Sequence, residues 1–96
     1  MTHYFTSAAQ TDFREAAFYY EHQSAGLGDQ FLDELVATVE RICMFPEAWG
    51  KVDERYRHCH MRRFPFTLIY LIREEEIVIV SVFHQRRKPS SWKDEP

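Results

Sequence analysis

His58 and His60 stand two residues apart in the stretch Arg55 to Met61, and Arg62 and Arg63 follow at once. On a strand, that spacing puts both histidines on one face and Cys59 on the other. Histidine titrates near neutral pH, so each ring is a competent general acid or base. The pair would also suit a metal, yet no carboxylate or third ligand accompanies it in the sequence. Zinc sites commonly take three or four protein ligands, so neither a metal nor another cofactor is expected. The alternative is two half-exposed histidines on a sheet face that contact a partner. His84, further on, reads as a strand-end residue hydrogen-bonded to backbone.

The arginines near these histidines belong to a wider division of charge. Residues 1–54 carry three basic side chains (Arg14, Arg41, Lys51) against ten acidic ones, a balance of −7. Residues 55–96 carry nine basic against five acidic, a balance of +4. A basic second half points to an anionic partner, either nucleic acid or an acidic protein segment. For a single charge the competing explanation is a solvated sheet edge kept soluble by arginine.

The elements that must position these groups follow from periodicity. The chain has 96 residues, enough for one domain (1–96) and too few for two, with 84–96 forming a C-terminal tail. Thr2 to Thr6 can pair as a strand. Ser7 to Gln10 matches a capping box with Ser7 as N-cap. Phe13, Ala16, Ala17 and Tyr20 then recur at helical spacing, with one of Tyr19 and Tyr20 facing inward and the other outward. Ser24 to Gly28 breaks that pattern with two glycines. A second stripe, Phe31, Leu32, Leu35, Val36, Val39, Ile42 and Cys43, defines a second helix that must stop by Pro46. From Arg55 the period becomes two: a polar strand to Met61, an apolar strand Phe66–Ile72, a turn at Glu74–Glu76, and a strand Ile77–Phe83. Ile77 to Val80 is apolar on both faces, as in an interior strand, and Tyr70 reads as core. Cys43 and Cys59 are expected as buried, reduced thiols. The N-terminus lacks a signal-peptide pattern and no apolar run is long enough to span a bilayer, so a cytoplasmic protein with no membrane partner is expected.

This order resembles the RelE/ParE superfamily of toxins from type II toxin–antitoxin systems. The local features that carry the resemblance are Glu15-Ala16-Ala17 with Tyr19-Tyr20-Glu21, and Gly26-Leu27-Gly28 before Phe31. Pro46, Arg63-Phe64-Pro65-Phe66 and Ile69-Tyr70 follow, and then His84-x-x-Arg87-x-Pro89-x-x-Trp92. The match covers nearly the whole chain and is closest to the ParE-like branch. It implies an α+β fold, β-α-α-β-β-β, in which a short N-terminal strand and an antiparallel helical hairpin pack on a small antiparallel sheet.

The resemblance also implies a partner and a target. Family toxins are held by a cognate antitoxin, and promoter DNA is contacted only indirectly, through that antitoxin. ParE-like members inhibit DNA gyrase without being enzymes. RelE-like members enter the ribosome and cut mRNA. Metal-free RNA cleavage must deprotonate the 2′-OH, stabilise the phosphate and protonate the leaving oxygen. RelE-like proteins place lysines and arginines on the middle strands, whereas His58 and His60 stand there in this chain. With no assembled acid, base and phosphate clamp, the reading leans to non-enzymatic gyrase inhibition. The target-binding residues are then Arg62, Arg63, His84, Arg86, Arg87 and Trp92. In the alternative, ribosome-dependent cleavage, His58, His60, Arg62 and Arg87 would carry the chemistry. The hairpin is expected to bind the antitoxin through Phe13, Tyr20, Leu35 and Val39, with an acidic antitoxin segment suited to the basic sheet half.

Overall fold

The chain pairs its first strand with its last. In the computed structural model, which describes residues 1–86, Thr2–Phe5 forms β1 and Glu76–His84 forms β4, and the two run parallel. Between them in sequence lie α1 (Ser7–Gln23), α2 (Leu27–Met44), β2 (Tyr56–His60) and β3 (Phe66–Arg73). The sheet order is β1-β4-β3-β2, with β2, β3 and β4 antiparallel and β1 making the sheet mixed. The expected α+β architecture is therefore present.

α1 starts one residue before the predicted cap-to-helix boundary. Thr6, not Ser7, is the N-cap: its backbone is still extended, its amide pairs with the Ile79 carbonyl at 3.0 Å, and its hydroxyl accepts from the Ala9 amide at 3.2 Å. Gln10 does reach back, but to the Phe5 carbonyl. β1 ends at Phe5, so α1 satisfies the rest of the β4 edge: the Asp12 carboxylate accepts the Val82 amide at 2.9 Å.

The turn between the helices is shorter than the two glycines suggested, because Gly28 already lies within α2. Gly26 takes φ +87, a left-handed conformation that favours glycine. Gly28 is needed for proximity, since a Cβ there would lie 2.7 Å from the Ala17 carbonyl oxygen of α1. α2 has no capping side chain of its own at Gly26. Glu21, from the end of α1, accepts the Gly26 and Gly28 amides at 3.0–3.1 Å, which holds its carboxyl below the usual range. A carboxylate with a depressed folded pKa stabilises above its unfolded value and loses that contribution as pH falls through the folded one. Glu21→Ala should therefore lower the Tm at neutral pH, and thermal melts at decreasing pH should show the gap closing below about pH 4.5.

The helices cover one sheet face. Phe31, Leu35, Val39 and Ile42 of α2 meet Leu68, Tyr70, Ile77 and Ile79, and Phe13, Ala17 and Tyr20 pack against this core. Tyr70 is fully buried as expected, and its hydroxyl donates to the Pro46 carbonyl at 2.6 Å just beyond α2. Burial pushes its phenol pKa up. Of the two thiols Cys59 is buried but Cys43 is only half-buried, and Val36, expected in the buried stripe, is 56% exposed. Val36 follows Leu35 by one residue, about 100° round the helix, and so turns to solvent.

The turn from β3 to β4 uses only Glu74 and Glu75, while Glu76 already pairs with Arg73. Tyr70 pairs with Ile79 and Ile69 with Ser81, which leaves Val80 as an extra residue. This bulge reverses the alternation, so Ile77, Ile79 and Val82 all face the helices. On the opposite face Ile69, Leu71, Val78 and Val80 are buried with Tyr56 and Phe83 beside them. β4 is thus covered on both faces, as its sequence suggested.

Candidate functional site

Arg62, Arg63, His84 and Arg86 come from two segments that meet at one end of the sheet. Phe66, the first residue of β3, is the register partner of His84, the last of β4. The Gln85 amide donates to the Pro65 carbonyl at 2.8 Å, and the His84 ring stands edge-on to Phe66 at 5.3 Å. The Arg86 amide donates to His84 Nδ1 at 3.1 Å. That bond gives His84 the backbone-bonding role its position suggested, and in the neutral ring it leaves the hydrogen on Nε2.

The connection between β2 and β3 is held from α2. Glu34 accepts the Arg62 amide at 2.9 Å and the Arg63 amide at 3.4 Å. Gln30 accepts from the Arg63 guanidinium at 3.1 Å, and that guanidinium lies 5.9 Å from the Phe64 ring centre. Arg41 donates to the His60 carbonyl at 3.4 Å. Beneath these contacts Phe31, Phe64, Phe66 and Tyr20 form an aromatic cluster with centroid distances of 4.9–6.1 Å. A rigid base thus presents three arginines, whose planar donors recognise carboxylate or phosphate. Glu34 and Gln30 are the residues sequence reasoning missed. Both lie on the polar side of α2, and nothing local ties them to a loop about 30 residues away.

The two remaining target-binding expectations, Arg87 and Trp92, lie outside the described residues. His58 and His60 do share a face, pairing with Ile69 and Thr67 on the side away from the helices. Their ring centres are 5.1 Å apart. His60 Nδ1 lies 2.6 Å from the Thr67 hydroxyl oxygen, whereas the buried His58 Nδ1 has no hydrogen-bond partner. Gly50 backs the His58 ring so closely that a Cβ there would lie 3.0 Å from it. Burial, and then His60, holds the His58 pKa below its ordinary value. The unfolded chain therefore takes up this proton first, and stability should fall as pH drops below about 6.5, levelling off below the folded pKa. Melts of His58→Gln should show a smaller Tm loss than the parent chain over that window.

No cluster of three or more metal-ligating side chains occurs among the described residues. At the opposite end of the sheet, Lys51, Arg55, Arg57 and Arg73 line an open groove of about 380 Å³ together with Glu47 and Glu54. Two of these arginines are tied down there: Arg57 donates to the Glu47 and Trp49 carbonyls, and Arg73 to the Tyr4 hydroxyl.

The family described as ParE toxin of type II toxin-antitoxin system, parDE, matches residues 4–89. The chain belongs to the ParE toxin family. Two relatives, each named Toxin ParE2 and from two strains of Mycobacterium tuberculosis, are 28% identical to it over 86 residues. Those alignments cover 88% of this chain and 82% of the relative. A solved structure titled chromosomal ParDE TA system from P. aeruginosa superposes with a TM-score of 0.63 at 17% identity, over 88% of this chain and 95% of that one. At that identity the likeness concerns the fold. The RelE/ParE resemblance read from the sequence, and its ParE-like branch, hold.

Membership of a toxin–antitoxin family implies an antitoxin partner. Of the hairpin residues expected to meet it in this ParE toxin, Leu35 and Val39 are 4% exposed and face the core. Phe13 and Tyr20 are half-buried, against Phe5 and Phe31 respectively. The large apolar side chains that the helices offer to water are Phe18, Tyr19, Val36 and Met44. As expected for the two adjacent tyrosines, Tyr20 faces inward and Tyr19 outward. No helix among the described residues is long and apolar enough to cross a membrane.

Proposed function

We propose that this ParE toxin is neutralised by a cognate antitoxin in the cytoplasm and, when released, inhibits DNA gyrase and so replication. The observation that carries this reading is the family match over residues 4–89, supported by the arginines gathered at one sheet end. Arg62, Arg63 and Arg86, with Arg87 and Trp92 in the tail sequence, form the target contact, and His84 supports it through Phe66 and the Arg86 amide. We read this end as a binding surface: His84 Nδ1 accepts the Arg86 amide, and the Glu34 carboxylate is engaged by the Arg62 and Arg63 amides. Promoter DNA is reached only through the antitoxin.

The test is a supercoiling assay with purified gyrase and this chain, with and without Arg62→Ala/Arg63→Ala. Lost supercoiling with accumulated cleaved DNA, relieved in the variant, is the expected result. Full supercoiling at a large excess of toxin counts against the reading.

The His58–His60 pair favours a second reading, ribosome-dependent mRNA cleavage. Two imidazole rings 5.1 Å apart on one sheet face are a residue type suited to proton transfer. His58→Ala and His60→Ala would then abolish cleavage while antitoxin binding persists, and if both variants still arrest growth this reading fails.

A further inference from the structure

The last residues of β3 run past one of their neighbours. β2 starts at Tyr56, opposite Leu71, so Ile72 and Arg73 pair with β4 but extend beyond β2. The open groove at this end of the sheet lies along that step. Leu71 and Ile72 are its apolar part, while Lys51, Arg55, Arg57 and Arg73 set four cations against the carboxylates of Glu47 and Glu54. The wall that carries Lys51 and Arg55 is ordered by its own turn. Asp53 Oδ1 accepts the Arg55 and Tyr56 amides at 2.9 Å, and the Val52 amide donates to the Tyr56 carbonyl at 2.8 Å.

The two anchored arginines keep their charge. Arg57 Nη1 donates to the Glu47 and Trp49 carbonyls at 3.0 and 2.8 Å, and Arg73 Nη2 to the Tyr4 hydroxyl at 2.6 Å. Neutral acceptors fix a guanidinium without neutralising it, so both are cations already held in place. Nη2 and Nε of Arg57, and Nη1 and Nε of Arg73, make no hydrogen bond to a described residue. Among the described residues, the Glu47 and Glu54 carboxylates accept no hydrogen bond from the cations of the groove either. Fixed guanidinium forks suit an anion with several oxygens, because binding it costs them little further freedom.

We infer that this groove binds the polyphosphate chain of a free nucleotide, held by Arg57 and Arg73 with Lys51 and Arg55 adding charge at the rim. The groove lies at the other end of the sheet from Arg62, Arg63 and Arg86, so the inference goes beyond the target contact and does not depend on it. Its volume of about 380 Å³ is that of a small-molecule cleft. A DNA strand is a poorer occupant. Its continuous run of phosphates would also pass Glu47 and Glu54, and the chain carries a net charge of −3. An acidic peptide is poorer as well, since it spreads its charge at about 3.3 Å per residue instead of concentrating it. No aromatic ring of a described residue lines the groove, so the base is held without selection.

The test titrates sodium tripolyphosphate, ATP and GTP calorimetrically into the full chain at about 50 mM salt. All three should bind, the two nucleotides within about threefold of each other, and more weakly at about 300 mM salt. Lys51→Ala/Arg55→Ala should weaken binding at least about tenfold, and so should Arg73→Gln, which keeps a donor for Tyr4 but loses the charge. Arg62→Ala/Arg63→Ala, at the far end, should leave it unchanged. Circular dichroism confirms that each variant is folded. No binding of tripolyphosphate or ATP, or groove variants that bind like the parent chain, overturns the inference. So does a loss of binding in Arg62→Ala/Arg63→Ala, or tighter binding of a short DNA duplex or of hexaglutamate than of ATP.

Discussion

Arg62→Ala/Arg63→Ala should relieve growth arrest on induced expression while the protein stays folded and still binds its antitoxin. The two guanidiniums are exposed, and Glu34 holds this loop by its backbone amides, which alanine retains. Arg62→Ala should change stability by no more than about 0.5 kcal/mol, the usual range for surface positions, whereas Arg63→Ala also loses the Gln30 hydrogen bond and the Phe64 ring contact and should cost about 1 kcal/mol. Target affinity should fall far more. Arginine anchors at an interface commonly cost about 2 kcal/mol when truncated, so the pair implies a loss of about a thousandfold. Colony counts after induction, with circular dichroism on the purified variant, provide the check. Undiminished arrest would place the contact elsewhere on the molecule.

Phe31→Ala should have the largest effect on stability, about 3–5 kcal/mol. Phe31 is fully buried, and its ring meets Tyr20, Phe64 and Phe66 at 5.1–5.5 Å, so truncation opens a cavity where both helices and the sheet meet. A small domain has about 5–15 kcal/mol in all, so the variant should be marginal. Phe64 and Phe66 flank the turn that follows Arg62 and Arg63, and the cavity should loosen the target-binding end before the whole fold is lost. Urea denaturation should show a lower midpoint at an unchanged slope. A cost below about 1 kcal/mol would mean that the cluster collapses around the gap.

The helices and strands were legible because their stripes are clean: Phe31, Leu35, Val39 and Ile42 keep one helical face, and Phe66 to Ile72 is a plain strand. What escaped the sequence depends on distance along the chain. Thr6 rather than Ser7 caps α1 because its amide is already committed to Ile79, a residue of the last strand. Glu21 caps α2 from outside that helix, and Glu34 holds a loop 28 residues away. The bulge at Val80 was hidden because Ile77 to Phe83 is almost uniformly apolar, so its phase cannot be read. At the candidate site, residue types pointed to Arg62, Arg63, His84 and Arg86. Only the pairing of Phe66 with His84 shows that the two segments meet. The antitoxin-facing positions illustrate the opposite error: the residues with the cleanest periodicity, Leu35 and Val39, are the ones the core consumes.

The proposed growth arrest by this ParE toxin acts through gyrase. It is tested most directly by inducing the chain alone in bacteria and following DNA and protein synthesis with labelled precursors at early times. DNA synthesis failing first, with a DNA-damage response, is the predicted result. Protein synthesis failing first, with messenger RNA cut within codons, would contradict it and make His58 and His60 the primary site.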